Sequence, residues 1–155
     1  MQLHHATETA VRVLAHLARR GDSQPLPLRD LVPAVGGSSA YLAKVVAELV
    51  KARLLLSYRG AHGGVVIARE PEQIRLIEIV EAVQGELGVG YCALAPAGEA
   101  VCGFHEAMVE VRKATARILG RWTLAALIAK GDRGAECKLR ALGSFRAGAG
   151  SGGAA

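Results

Sequence analysis

The 155-residue sequence lacks any long uninterrupted apolar run, although 51% of its residues are hydrophobic. A membrane span requires about 18 or more consecutive apolar residues, so we expect a soluble protein with a buried core. The sequence also lacks an N-terminal basic segment followed by an apolar stretch, and no signal peptide is predicted. A cytoplasmic protein is therefore expected.

Cysteine is scarce, with three residues in the chain. An odd number without a secretion signal argues against a disulfide framework and for a reducing compartment. Acidic residues are in the minority, because 14 Asp and Glu stand against 19 Lys and Arg, which gives a net charge of +5 and a pI near 9.4. The basic excess favours a polyanionic partner, but a surface that merely happens to be basic would give the same numbers.

The segment 28–69 carries the pattern around which the chain is organised. A short amphipathic helix over 28–34 ends at a pair of glycines. Ser38 or Ser39 then caps a second helix, because a serine hydroxyl can accept a free N–H group of the first turn. One face of this second helix is apolar at helical spacing, through Leu42, Val45, Val46 and Leu49.

Two short strands are predicted next, over 54–58 and 65–68, with a mobile glycine-rich hairpin tip over 60–64. Helix, tight turn, helix and basic hairpin form the pattern of a winged helix-turn-helix. Such a helix fits the major groove of DNA, and a basic hairpin tip can reach the neighbouring backbone or minor groove. The predicted DNA-contacting residues have hydroxyl or basic side chains: Ser38, Ser39, Tyr41, Lys44, Arg59, His62 and Arg69.

Further helices are predicted on both sides of this motif, over 7–20 and 76–83. A loop over 86–100 then precedes a long helix over 103–121. Six residues along the long helix, all but Thr115 apolar, recur in alternating steps of four and three, which is seven residues for every two steps, as in a coiled coil: Phe104, Met108, Val111, Thr115, Ile118 and Trp122. We expect a dimerisation helix, and the alternative is one more helix of the intramolecular core.

The predicted fold is mainly α with a small β-hairpin wing: a winged helix-turn-helix domain plus a long dimerisation helix. The predicted regions are a DNA-binding domain over 1–84, a cysteine-bearing sensor loop over 85–102, the dimerisation helix and a short final helix over 103–130, and a flexible tail over 131–155. The tail is of low complexity and is assigned no function.

Several stretches, in order, resemble the Rrf-two family of bacterial transcription regulators (the IscR, NsrR, RirA and CymR type). They are the opening helix and the segments SSAYLAKVVAELVKARLL, RGAHGGVVIAR, EPEQIRLIEIVEAVQG, CGFHEAM and LGRWTLAAL. The resemblance implies a homodimeric regulator, expected to be a repressor, that binds palindromic promoter DNA with paired winged helices and dimerises through the long helix. Two positions depart from the family pattern: Arg53 stands where members have glycine, and Val65 where they have an aromatic residue. Both departures bear on the fit of the wing.

The resemblance also implies a cysteine-based sensor. Cluster-binding members carry three cysteines before the dimerisation helix, of which Cys92 and Cys102 match the first and last, while the middle one is missing. His105 matches the histidine ligand of IscR-type members, and Glu8 lies where some relatives bring an acidic ligand from the partner subunit. These four residues are the predicted iron ligands of a [2Fe–2S] cluster, whose redox state, nitrosylation or loss changes DNA affinity.

The chemistry of these residues is consistent with a cluster site and also with other roles for the cysteines. A helix N-terminus stabilises a thiolate at Cys102, and residues three apart on a helix, such as Cys102 and His105, share one side. Cys92 and Cys102 could also form a cofactor-free thiol pair that oxidises to a disulfide, or be inert buried side chains. Zinc is disfavoured because the spacing resembles no structural zinc motif, and Cys137 is expected to be an incidental thiol.

Two other classes of protein fit the sequence less well than a regulator. An enzyme that uses Cys102 and His105 lacks an orienting third residue and an oxyanion hole, so no enzymatic activity is expected. A winged-helix module that binds only proteins is opposed by the basic residues Lys44, Arg59 and Arg69. The sequence therefore favours a DNA-binding regulator with a cysteine-based sensor.

Overall fold

The structure is a computed structural model that describes residues 4–60, 63–87 and 103–131. The elements formed in these ranges are α1 (His5–Arg20), α2 (Leu28–Val35), α3 (Ser39–Lys51), β1 (Leu55–Tyr58), β2 (Gly64–Ile67), a 3₁₀ turn (Pro71–Gln73), α4 (Leu76–Gln84), α5 (Gly103–Arg121) and α6 (Leu124–Gly131). The predicted fold class, mainly α with a hairpin wing, is confirmed. Most of the predicted sensor loop and nearly all of the predicted tail lie outside the described residues.

Helix α1 forms the centre of the core. It begins two residues before the predicted start and ends at Gly21, whose φ of 64° lies in the left-handed region that glycine adopts at little cost. Its buried face consists of Thr7, Thr9, Ala10, Val13, Leu14 and Leu17. The Thr7 hydroxyl donates a hydrogen bond of 2.7 Å to the side-chain oxygen of Gln84, which joins the start of α1 to the end of α4.

Helices α2 and α3 form the predicted helix-turn-helix. Leu31 and Val35 of α2 are buried in the same cluster as the apolar face of α3. The chain turns between the helices at Gly36 and Gly37, with φ values of 86° and 90°. The hydroxyl of Ser38 accepts the N–H of Tyr41 at 3.2 Å and caps α3, as the sequence predicts.

Strands β1 and β2 form an antiparallel hairpin in which Leu55 pairs with Ile67 and Tyr58 with Gly64. The chain before α2 also pairs with β2. The N–H of Leu26 donates to the carbonyl of Val65 at 3.0 Å, and the N–H of Val65 donates to the carbonyl of Leu26 at 2.9 Å. These bonds fix the start of β2 to the entrance of α2, and the Val65 side chain is buried there.

Helix α4 packs against α1, α3 and α5. Its first turn is joined to the α5–α6 junction, because the N–H of Leu76 donates to the carbonyl of Trp122 and the N–H of Leu124 to that of Ile74, each at 2.8 Å. Helix α5 is thereby attached to the helix-turn-helix through α4. In the described part of the chain, no helix has the length and apolar character needed to cross a membrane.

Candidate nucleic-acid interface and sensor site

The start of α3 presents small and polar side chains to solvent. Ser38, Ser39 and Lys44 are exposed, and so are the methyl groups of Ala40 and Ala43 between them. Small side chains allow the helix to approach a base edge closely, and alanine can contact the methyl group of thymine. The N-terminal end of a helix also carries a partial positive charge, which favours nearby phosphates.

Tyr41 faces the protein more than the other residues predicted on this surface. It is half-buried, and its ring stacks on His5 of α1 with 5.7 Å between centroids and 11° between planes. Sequence patterns gave no signal for His5, because it lies on another helix far from Tyr41 in sequence. DNA contact by Tyr41 stays a prediction.

The three predicted residues of the wing are in different situations. Arg59 is exposed immediately after β1, and His62 lies outside the described residues. Arg69, after β2, donates a hydrogen bond of 2.6 Å to Glu78 of α4. This ion pair links the base of the wing to the core, so Arg69 has a structural partner that the sequence pattern did not indicate.

The carboxyl group of Glu78 is held in its charged form. Partial burial by itself raises the pKa of Glu78, but hydrogen bonds from the Arg75 backbone N–H and the Arg69 side chain, together with the charges of both arginines, outweigh it. The net pKa is lower than the ordinary value of 4.5. The Glu78–Arg69 ion pair therefore stabilises the fold fully when the pH is above the ordinary pKa of Glu78. This stabilisation is lost as the pH falls through the lowered pKa of Glu78.

Glu8, a predicted cluster ligand, lies beside the helix-turn-helix. Its carboxylate forms an ion pair with Arg12 on the next turn of α1 and lies 3.6 Å from Nδ1 of His5. Arg12 also donates to the carbonyl of Val35 at the end of α2, at 3.4 Å. The Glu8 carboxylate is thus connected to α2 through Arg12 and to α3 through His5, which stacks on Tyr41.

The other predicted ligands are only partly described. His105 lies half-buried in the first turn of α5, with its Nδ1 atom shielded from solvent. Cys92, Cys102 and Cys137 lie outside the described residues. Across 4–60, 63–87 and 103–131, no group of three His, Cys, Asp or Glu side chains is placed to hold a metal ion.

The six residues with coiled-coil spacing along α5 fall into two groups that differ in solvent exposure. Met108, Thr115 and Trp122 are half-buried. Phe104, Val111 and Ile118 are exposed by 61%, 47% and 57% of their surface. These exposed residues recur every seven positions, about 10 Å apart on a helix, so they form a straight apolar line on the outside of the subunit.

Comparison with known proteins identifies the family. The Rrf2 (Rrf-two) family model, described as "Iron-dependent Transcriptional regulator", matches residues 3–130. The chain is 32% identical over 132 residues to the HTH-type transcriptional regulator NsrR of Geobacillus kaustophilus, which covers 83% of this chain and 90% of that protein. It is 30% identical over 92 residues to the HTH-type transcriptional regulator IscR of Cronobacter sakazakii, covering 59% of this chain and 57% of that protein.

Solved structures agree with this assignment. T. potens IscR superposes with a TM-score of 0.65 at 25% identity, covering 88% of this chain and 93% of that one. CymR, the global cysteine regulator of B. subtilis, superposes with a TM-score of 0.65 at 24% identity, covering 84% of this chain and 98% of that one, and shows the same fold. The named relatives are regulators, which confirms the expectation that this protein is not an enzyme. The chain belongs to the Rrf2 family and is a DNA-binding transcription regulator.

Proposed function

We propose that this protein is a cytoplasmic homodimeric regulator, acting as a repressor, that binds a palindromic promoter site with the start of α3 and the hairpin wing. The observation that carries the DNA-binding mode is the exposure of Ser38, Ser39 and Lys44 on α3 together with Arg59 on the wing. In the described residues, neither Lys44 nor Arg59 forms an ion pair within its own chain. Both cations are therefore available for phosphate or base contacts.

Lys44→Ala and Arg59→Ala are each expected to weaken binding to a duplex enriched from a random pool by the wild-type protein. One lost phosphate contact releases one counterion fewer, so the affinity at about 0.1 M salt should fall roughly eightfold per bound subunit, and the salt slope by about 0.9. Fluorescence anisotropy across a salt series measures both quantities. Arg112→Ala, which removes an exposed cation from α5, is the control. Unchanged affinity in both test variants would contradict the proposed surface.

A homodimer is supported by the exposed apolar line on α5. Three large apolar side chains on one straight line resemble half of a coiled-coil contact, and the facing half would come from a second copy. The helix is joined to the DNA-binding elements through α4. Two copies related by a twofold axis would present two α3 helices to half-sites about one turn of DNA, or a multiple of it, apart.

The sensor we propose is a [2Fe–2S] site formed by Cys92, Cys102 and His105, with Glu8 from the partner subunit. Thiolate, imidazole and carboxylate are suitable donors for iron, and mixed Cys/His ligation of such a cluster has precedent. Two of the four proposed ligands lie in the described residues, and their burial suits a cluster site. His105 is half-buried at the start of α5, and Glu8 is mostly buried near the helix-turn-helix. When bound, the cluster supplies a redox-active, oxidant-sensitive centre.

The contacts of Glu8 suggest how the sensor affects DNA affinity. Its carboxylate holds Arg12, and Arg12 reaches the carbonyl of Val35, which immediately precedes the turn between α2 and α3. If Glu8 turned away to bind iron at the site of the partner subunit, Arg12 and His5 would lose the carboxylate that they contact. The position of α3 relative to α1 would then depend on the state of the site.

Protein purified without oxygen is expected to be brown and to contain about two irons and two sulfides per cluster. Cys92→Ser and Cys102→Ser should abolish the visible absorption, and Cys137→Ser should not. His105→Ala and Glu8→Ala test the remaining ligands by the same spectrum. A colourless, iron-free protein that still binds DNA would contradict the cluster and leave the cofactor-free regulator, in which Cys92 and Cys102 respond by oxidation.

A further inference from the structure

Arg53, directly after α3, has an unusual backbone conformation. Its φ is 57°, and within the described residues it is the only non-glycine residue with a positive φ. The N–H of Arg53 donates to the carbonyl of Val50 at 3.0 Å, and that of Leu54 donates to the carbonyl of Leu49 at 2.9 Å. This pair of bonds is a Schellman motif, which ends a helix with a left-handed residue that is usually glycine.

A glycine at this position would remove a steric cost. A side chain in the left-handed region brings Cβ close to the following carbonyl oxygen, whereas glycine adopts this region freely. The rest of the motif is in place, because Leu49 and Leu54 are both fully buried and fix the turn. The backbone thus favours glycine, and the arginine side chain must be explained by something other than the turn.

The charge of Arg53 is available for a partner. The residue is exposed, and inside the described ranges its guanidinium makes no ion pair or hydrogen bond. The nearby cation Lys51 differs, since its ammonium lies 3.6 Å from the carboxylate of Glu48. Arg53 therefore contributes an uncompensated positive charge at the corner between α3 and β1.

This corner joins the two elements of the proposed DNA-binding surface. Helix α3 carries Lys44 and ends before Arg53, and β1 begins two residues after Arg53 and leads to Arg59. Arginine is well suited to this position because its planar guanidinium can donate two parallel hydrogen bonds to one phosphate. In chain order, Arg53 stands between Lys44 and Arg59, the two cations proposed to contact DNA.

We propose that Arg53 is a DNA-binding residue that donates to a backbone phosphate between the contacts of α3 and those of the wing. The proposal rests on the DNA-binding surface proposed above. It predicts that function and stability oppose each other at this position, because the residue that binds the phosphate is not the one that the turn prefers.

The test compares Arg53→Gly, Arg53→Asn and Arg53→Lys in the full chain. The probes are the enriched duplex and a mixed-sequence duplex of equal length, since a phosphate contact acts on both. The glycine and asparagine variants should lose affinity roughly eightfold per bound subunit at about 0.1 M salt, with the salt slope lower by about 0.9. The lysine variant keeps the charge but not the paired hydrogen bonds, so its salt slope should match that of the wild type and its affinity should lie between those of the wild type and the glycine variant.

Thermal unfolding gives the second readout. Arg53→Gly should raise Tm by roughly 2–4 °C, because it relieves the backbone without removing a buried contact. Asparagine tolerates the left-handed region, so Arg53→Asn removes the charge with little effect on Tm. This variant replaces Arg53→Gly in the affinity measurements if the glycine variant folds poorly. Lys51→Ala is the matched control, and its effect on the salt slope should be smaller because Glu48 already offsets that charge.

The outcomes separate the two proposals. If Lys44→Ala and Arg59→Ala weaken binding while Arg53→Gly and Arg53→Asn leave it unchanged, the phosphate contact is wrong and the surface stands. A salt slope that falls as much in Arg53→Lys as in Arg53→Gly would also overturn the contact, because the loss of charge would not be its cause. If none of the variants at the three positions changes affinity, the proposed surface itself fails.

Discussion

Ile118→Asp is expected to separate the dimer and to weaken operator binding on the order of 100-fold. Ile118 is 57% exposed in the subunit, so its replacement removes little buried surface from the subunit itself. In the proposed dimer the same side chain is covered by the second copy, and a carboxylate there would be buried without a partner. Two linked binding units gain affinity because the second contact is intramolecular, and a monomer loses that gain.

Lys113→Asp is the control for this variant. Lys113 is exposed on the opposite side of α5 from the apolar line. Its replacement changes the net charge more than Ile118→Asp does, so a general electrostatic effect on DNA binding would be larger in the control. Sedimentation velocity gives the oligomeric state, and circular dichroism shows whether the helix content of the chain is retained. A dimer that persists in Ile118→Asp would place the interface elsewhere.

The helices and the hairpin could be predicted because local patterns determine them. The bounds of α5 agree with the prediction at both ends, and α4 ends before Gly85, as expected. In both cases the apolar residues repeat at helical spacing, and a glycine or a change of pattern marks the end. The serine cap of α3 is a similar local signal, since Ser38 accepts a bond from a residue three positions away.

The contacts between distant segments could not be predicted in this way. Tyr41 was expected on the outside of α3, but its ring stacks on His5 of α1. Arg69 was expected on the wing surface, but it is paired with Glu78 of α4. Helical periodicity says which face of a helix is apolar, and it does not say which polar side chain of another element lies nearby.

The candidate sensor site shows a further limit. Its expected ligands come from α1, the loop before α5 and α5 itself, so no spacing within one element relates them. Only the resemblance to a family brought Glu8 into the set with Cys92, Cys102 and His105. Arg53 is the opposite case. The sequence shows an arginine where the family has glycine, but only the structure shows that this position has a left-handed backbone, which glycine adopts more easily.

Gly64→Ala is expected to destabilise the fold by about 3 kcal/mol, near the upper end of the cost of overpacking. A Cβ atom at Gly64 would overlap the carbonyl carbon and oxygen of Leu26 and lie 2.8 Å from the nitrogen of Pro27. These are backbone atoms, and the two hydrogen bonds between Leu26 and Val65 hold them in place. The clash can be relieved only if β2 moves away from the entrance of α2.

Gly21→Ala is the matched control for this last variant. At Gly21 an added Cβ meets no atom within 4 Å, and only the left-handed φ of 64° opposes it, at a cost of about 1 kcal/mol. Urea unfolding compares the two variants directly. The wing carries Arg59, so Gly64→Ala should also reduce DNA affinity, whereas Gly21→Ala should not. Equal losses of stability in the two variants would mean that β2 does not pack on the Leu26–Pro27 backbone, and the wing would then be free to move independently of the helix-turn-helix.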